Sequence, residues 1–174
     1  SRELWIEETD FAEVPPKGFR RLTVPADGSP AKPVRLRYGY VIVPTSFEKD
    51  AEGRVTAVHA NYLPETKSGT EGSMSVKTKA TIHWLDAQTA RAAEFRVYDR
   101  LFNEPNPEAG EGTFLDHLTP NSKTILQGYV EPCTADAANE ERFQFERTGY
   151  FVADRKDHAP EHPVFNLSVG LRDS

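Results

Sequence analysis

Six basic side chains between residues 17 and 37 have the clearest chemical purpose in this sequence. They are Lys17, Arg20, Arg21, Lys32, Arg35 and Arg37. The only acid among them is Asp27, so this segment carries +5 in a chain whose net charge is −6. The planar fork of arginine suits phosphates and guanine edges, and unpaired RNA bases stack on aromatic rings such as the interleaved Phe19, Tyr38 and Tyr40. The segment indicates a polyanion site, with a solvated strand face held by cross-strand ion pairs as the alternative.

Residue types that carry enzymatic chemistry are scattered by comparison. His158 and His162 could reach one metal only from a helix, and Pro160 lies between them, so we expect a solvated loop. Cys133 has no CxxC partner and is expected to be an ordinary small buried residue. Met74–Lys77 faintly resembles the lysine loop of class I synthetases, but the lysine before Met74 is absent and Val76 stands in place of the second lysine. The start of a strand is the better explanation. The sequence contains neither a glycine-rich phosphate loop nor GxSxG, and no carboxylate pair nominates a hydrolase.

Composition limits the number of domains, the compartment and the classes of function that are expected for this chain. A chain of 174 residues allows one domain or two small ones, and its acidic balance argues against non-specific nucleic-acid binding. The single cysteine excludes an internal disulfide and favours a reducing, cytosolic compartment. The sequence has no signal peptide, transmembrane run or lipidation motif. Because it starts at Ser1 without methionine and stops abruptly at Ser174, we expect a piece of a longer protein.

Short alternating apolar runs predict an all-β protein whose strands position these side chains. The expected strands are 4–6, 19–24, 34–43, 55–62, 76–84, 93–98, 124–130, 142–145, 150–152 and 164–171. Within 34–43, the even residues form an apolar face and Arg35 and Arg37 stand on the other face. A hairpin turn is expected at 48–53 and a short helix at 113–118.

Several longer motifs together resemble the C-terminal anticodon-binding region of the glutaminyl-tRNA synthetases, which are class I enzymes. They are WIEETDF, FRRL followed by VRLRYGYVI, EKDAEG, TIHW, RVYDRLF, GYVEP, RFQFERTGYF and PVFNLSVGLRD, in the family's order over nearly the whole chain. Archaeal and eukaryotic glutamyl-tRNA synthetases share this architecture and are one alternative. A free-standing RNA-binding barrel of the ribosomal L25 type is another. A protein-interaction barrel would instead place Arg35 and Arg37 in surface ion pairs.

The resemblance implies two stacked six-stranded barrels of the ribosomal L25-like type with an exchanged N-terminal strand. Residues 1–85 would form mainly the distal barrel and residues 86–174 mainly the proximal barrel. Each base of the tRNA(Gln) anticodon would occupy its own pocket. The implied contacts are Arg20 and Arg21 at the third base, Arg35 and Arg37 at the first, Gln144 and Arg147 at the central uracil, and Arg172 beside the pockets. Phe143, Phe145 and Tyr150 are expected to pack in the core.

The resemblance also implies a parent glutamine–tRNA ligase with an N-terminal catalytic domain that uses ATP, Mg and glutamine. In this chain we expect no catalytic residue, metal site or cofactor, and we expect a cytoplasmic monomer without a membrane partner. A family segment that supplies one barrel strand and another arginine of the central pocket is missing from the sequence. An unpaired barrel edge should result, and the chain alone is expected to bind tRNA poorly.

Overall fold

A computed structural model describes residues 2–108 and 112–171. Its regular structure is mostly β-strand with only short helices, so the predicted all-β class is confirmed. The chain divides into two compact units, residues 1–86 and 87–174. The helices within residues 2–108 and 112–171 all fall short of the length and apolar character that a membrane-spanning helix needs.

The first unit contains a four-stranded sheet and a separate two-stranded pair. Its strands are β1 (Leu4–Trp5), β2 (Val34–Leu36), β3 (Val41–Lys49), β4 (Val55–Leu63), β5 (Thr81–Ile82) and β6 (Leu85–Asp86). The four-stranded sheet has the order β4-β3-β2-β5, in which only β2 and β5 run parallel, and β1 pairs antiparallel with β6. Single-turn 3₁₀ helices occupy Glu8–Asp10, Pro64–Thr66 and Glu71–Met74. Leu22, Val34, Leu36 and Ile82 form the buried core.

The expectation of one continuous strand over 34–43 is wrong, because the chain reverses at residues 37–40. The amide of Gly39 donates to the Leu36 carbonyl at 2.8 Å and the amide of Leu36 donates to the Tyr40 carbonyl at 2.9 Å. β3 therefore folds back on β2, with Val34 opposite Ile42. A short turn leaves the alternation of apolar residues in register on both sides, so periodicity alone does not reveal it.

Two other strand predictions in this unit are wrong in extent. Segment 19–24 makes one bridge, between Leu22 and Phe11, and Leu22 is its only fully buried residue. Segment 76–84 shows the expected alternation of covered and exposed side chains only as far as Ile82, and only Thr81–Ile82 has a neighbouring strand. The hairpin predicted at 48–53 is confirmed, with a turn at Asp50–Gly53 joining β3 to β4.

The second unit is built on a five-stranded sheet. Its strands are β7 (Arg91–Tyr98), β8 (Lys123–Val130), β9 (Arg142–Phe145), β10 (Gly149–Ala153) and β11 (Val164–Gly170). Their order is β8-β7-β11-β10-β9, and only β7 and β11 run parallel. A helical turn spans Pro132–Ala135; it buries Thr134 and Ala135 and leaves Cys133 exposed, so the expected burial of Cys133 is wrong. The helix expected at 113–118 is a 3₁₀ turn at Phe114–His117 with a capping box from Thr113 and Asp116.

Five phenylalanines fill the core of the second unit. Phe95, Phe143, Phe145, Phe151 and Phe165 contact one another with ring centroids 5.0–6.0 Å apart, mostly edge to face. The core positions predicted for Phe143 and Phe145 are confirmed. Tyr150 is the exception, because its side chain faces away from this cluster and is 46% exposed.

The solvated position expected for His158 is also wrong. Its ring is buried against Phe165, with Nδ1 accepting the Val164 amide at 3.1 Å and Nε2 lying 3.2 Å from the Ala137 carbonyl. The histidine therefore closes the loop that leads into β11, because it satisfies backbone groups that burial would otherwise leave without water. The six-stranded barrels, the exchanged strand and the distal and proximal assignments stay predictions.

Candidate nucleic-acid interface

The guanidinium of Arg35 is turned into its own unit and bonds backbone carbonyls. Nη1 donates to the carbonyls of Thr66 at 3.0 Å and Gly39 at 3.4 Å, and Nη2 donates to the carbonyl of Ser73. No carboxylate of the described residues pairs with Arg35, so the ion-pair alternative does not hold for this side chain. Arg35 fastens the loop after β4 to the turn between β2 and β3.

Arg37 and Tyr38 form the tip of that turn. The guanidinium carbon of Arg37 lies 4.9 Å from the centroid of the Tyr38 ring, and Nη2 donates to the Tyr38 hydroxyl at 3.2 Å. Tyr38 has a φ of 56° and is 81% exposed. The sequence pattern had placed Tyr38 on the apolar face of a strand, so the turn is what brings this ring to the surface.

In the other basic pair, Arg21 is bonded to protein groups and Arg20 is exposed. Arg21 donates from Nη1 to the Thr9 carbonyl at 3.0 Å, and its Nε lies 3.4 Å from Oδ1 of the fully buried Asp10. Arg20 is exposed and has no polar partner within the described parts of the chain. Lys17 and Lys32 are exposed as well. In the first unit, therefore, Arg21 and Arg35 are held by the protein, whereas Arg20 is open to a ligand.

Gln144 and Arg147 lie on one hairpin of the second unit. Gln144 is exposed on β9 opposite Tyr150 of β10, and Arg147 stands in the connecting turn with a φ of 63°. An open pocket of about 520 Å³ lies beside Gln144 but is not lined by Arg147; its lining residues are Arg142, Phe143, Gln144, Tyr150, Phe151 and Ser168. The pocket combines an amide, a cation and an aromatic edge, which are the groups that recognise an unstacked base. Arg172 lies outside the described residues.

A half-buried ionic network supports the sheet that carries this hairpin, and no sequence pattern had indicated it. Arg96 on β7 contacts Glu94 at 2.6 Å, Asp157 at 2.7 Å and Asp154 at 3.3 Å. Asn166 of β11 donates to Asp154 at 2.7 Å, and this hydrogen bond is the largest cause that lowers the pKa of Asp154 to about 2. The carboxylates in turn raise the pKa of Arg96. The network joins β7, β11 and the end of β10.

The carboxyl groups give no support to a hydrolase. Hydrogen bonds within their own turns lower the pKa values of Asp27, Asp50 and Asp116, which are all exposed surface or turn residues. Within residues 2–108 and 112–171, His, Cys, Asp and Glu side chains form no cluster of three suited to a metal ion.

Comparison with known proteins agrees with the geometry. Two models described as "tRNA synthetases class I (E and Q), anti-codon binding domain" match residues 1–63 and 81–154. Over all 174 residues, the chain is 62% identical to the glutamine–tRNA ligase of Cupriavidus metallidurans, 58% to that of Ralstonia pickettii and 46% to that of Nitrosomonas europaea. It spans only 29–30% of the length of these curated relatives.

An all-β chain that is matched in each of its two units by such a model is an anticodon-binding part of a class I tRNA synthetase. More particularly, the chain belongs to the anticodon-binding domains of the E and Q synthetases, and its relatives named above are glutamine–tRNA ligases.

Proposed function

We propose that this chain recognises the anticodon loop of tRNA(Gln) as part of a glutamine–tRNA ligase. The observation that carries the proposal is the match of separate anticodon-binding models to residues 1–63 and 81–154. Relatives named glutamine–tRNA ligase at 46–62% identity favour glutamine over glutamate as the amino acid of the parent enzyme. ATP, Mg and glutamine would be bound by the catalytic domain in the remaining length of that enzyme.

In this proposal the basic side chains have two different tasks. Arg20 and Arg37 offer donors to the third and first anticodon bases, while Arg21 and Arg35 hold the backbone that carries them. This division follows from the carbonyl and carboxylate partners of Arg21 and Arg35 and from the exposure of Arg20. Each good bidentate contact to a base contributes about 1–3 kcal/mol of discrimination.

The central uracil is assigned to the hairpin of Gln144 and Arg147, with Arg172 beside the pockets. A uracil presents two carbonyl acceptors and one imino donor. The amide of Gln144 can donate and accept, and the guanidinium of Arg147 donates only. Tyr150 supplies an aromatic surface next to Gln144.

We also propose that the parent enzyme works as a cytoplasmic monomer.

Fluorescence anisotropy tests the proposal with two anticodon stem-loops, one carrying CUG and one with its central U replaced. At low salt we expect weak binding with a preference for CUG that Arg147→Ala abolishes. Arg155→Ala is the matched control, because it removes another exposed cation of the same unit, which lies 4.0 Å from Glu140. Equal binding of both RNAs by the parent enzyme would contradict the proposal.

A further inference from the structure

We propose that Tyr38 is a stacking platform for one unpaired anticodon base, an inference that rests on the proposed function. The starting observation is the backbone of Tyr38. Its φ of 56° lies in the left-handed region, where a bulky L-residue is uncommon and strained. Tyr38 is the third residue of the turn Leu36–Gly39, a position that usually takes glycine or asparagine when φ is positive.

The turn around Tyr38 is fixed from several sides. Trp84 Nε1 donates to the Arg37 carbonyl at 2.9 Å, and the amide and hydroxyl of Ser68 both donate to the Gly39 carbonyl, at 3.0 and 2.8 Å. The Arg37 amide donates to the Ile82 carbonyl at 2.9 Å. A strained residue persists only where its surroundings over-determine it, and such strain clusters at ligand-binding positions.

Packing does not explain why an aromatic residue stands here. The ring is 81% exposed, and in the described structure its polar partner is the guanidinium of Arg37. Burial of the ring therefore contributes little to stability, while the conformation costs free energy. Binding of a ligand to the ring explains why tyrosine, rather than glycine or asparagine, occupies this position.

The surroundings select the chemistry of that ligand. Arg37 lies against the Tyr38 ring and makes a mixed cation and aromatic surface, which binds the face of a base and an adjacent phosphate together. The +5 charge of residues 17–37 attracts a polyanion to this unit. A base already looped out, such as an anticodon base, can stack there without first being unpaired.

The test compares the 174-residue chain with its Tyr38→Asn and Tyr38→Phe variants on the CUG stem-loop. Tyr38→Asn suits the turn but has no ring, so affinity should fall roughly 5- to 150-fold, the equivalent of one lost base stack. Tyr38→Phe keeps the ring, so its affinity for the stem-loop should stay within about threefold of that of the original chain. The urea midpoint of Tyr38→Asn should stay equal or rise, because asparagine accepts positive φ more readily.

Three further stem-loops, each with an abasic site at one anticodon position, identify the stacked base. At one position the original chain and Tyr38→Asn should bind equally, because the partner of the ring is gone. A similar loss on all three abasic RNAs, unchanged affinity of Tyr38→Asn, or a fall in its urea midpoint would each overturn the inference. Failure of the proposed function looks different, since the original chain would then not prefer CUG over the RNA with the altered central base.

Discussion

Trp84 Nε1 donates a hydrogen bond of 2.9 Å to the carbonyl oxygen of Arg37, a residue 47 positions earlier in the chain. This bond ties the residue before Tyr38 to the segment that follows β5. The orientation of the proposed RNA-contacting turn therefore depends on an indole that itself packs against the core of the first unit.

Replacement of Trp84 by phenylalanine should loosen this turn. The half-buried Arg37 carbonyl loses its donor, so we expect the free energy of unfolding to fall by about 1–2 kcal/mol. RNA affinity should fall along with it. Urea unfolding followed by circular dichroism measures the first effect and anisotropy the second. Trp5→Phe, which changes a half-exposed tryptophan of the same unit, is the control. Unchanged RNA affinity in Trp84→Phe would contradict the expected coupling.

Arg35 should behave as a structural residue as well as a charged one. A lysine cannot donate to Thr66, Gly39 and Ser73 from one planar fork, so Arg35→Lys is expected to destabilise the first unit by about 2 kcal/mol although the charge is kept. Both tryptophans, Trp5 and Trp84, lie in this unit, so tryptophan fluorescence reports its unfolding.

Arg20→Lys is the matched control for Arg35→Lys. Arg20 is exposed, so its replacement should change the free energy of unfolding by less than about 0.5 kcal/mol. If Arg35→Lys instead lost RNA affinity with no loss of stability, its guanidinium would be acting on the RNA rather than on the backbone carbonyls.

Acid should weaken the second unit through Asp154. The pKa of this carboxyl is about 2 in the folded chain, against an ordinary value of 3.8. The ionised carboxylate therefore stabilises the folded state fully above pH 4, and this stabilisation is lost as the pH falls through about 2. Between pH 5 and pH 2, the free energy of unfolding should fall by about 2 kcal/mol. Solvent screening reduces this value little, because the side chain is 15% exposed. Asp154→Asn should be less stable at pH 5 and should lack this part of the acid sensitivity.

Urea unfolding followed by circular dichroism at several pH values measures the effect of Asp154. Asp136→Asn, an exposed aspartate of the same unit, is the control and should keep the acid sensitivity of the original chain. An identical pH dependence in Asp154→Asn and the original chain would show that the Asn166 hydrogen bond does not favour the ionised form.

His158 and His162 should differ sharply in their effect on stability, although they are close in sequence. His158→Ala removes a buried ring and the acceptor of the Val164 amide, so we expect a loss of about 3 kcal/mol. His162 is exposed, and His162→Ala should change stability by less than about 0.5 kcal/mol. Thermal unfolding of the two variants checks the difference, and equal losses would contradict a special role for the buried ring.

Turn residues and the alternation of apolar residues predicted the hairpin turn and most strands of the second unit, because these elements depend on neighbouring residues. The turn at Asp50–Gly53 follows from its polar residues and glycine, and β7 to β11 follow from alternating apolar residues, including the inward-facing Phe143 and Phe145. The basic segment could also be found from sequence, because a local excess of charge needs no structure to be seen. Those features predicted an all-β chain, which the structure confirms, and a polyanion site, which stays a prediction.

Tertiary structure decided which side chains of that site face outward. Arg35 and Arg37 share one face in the sequence pattern, yet Arg35 is held by carbonyls 31 and 38 residues away, and Tyr38 is exposed by a turn that periodicity does not register. His158 and the Arg96 network are likewise defined by partners distant in the chain. Sequence alone determined the composition and the local conformations, because these depend on neighbouring residues. The partners of each arginine depend on which backbone groups folding brings within hydrogen-bond distance.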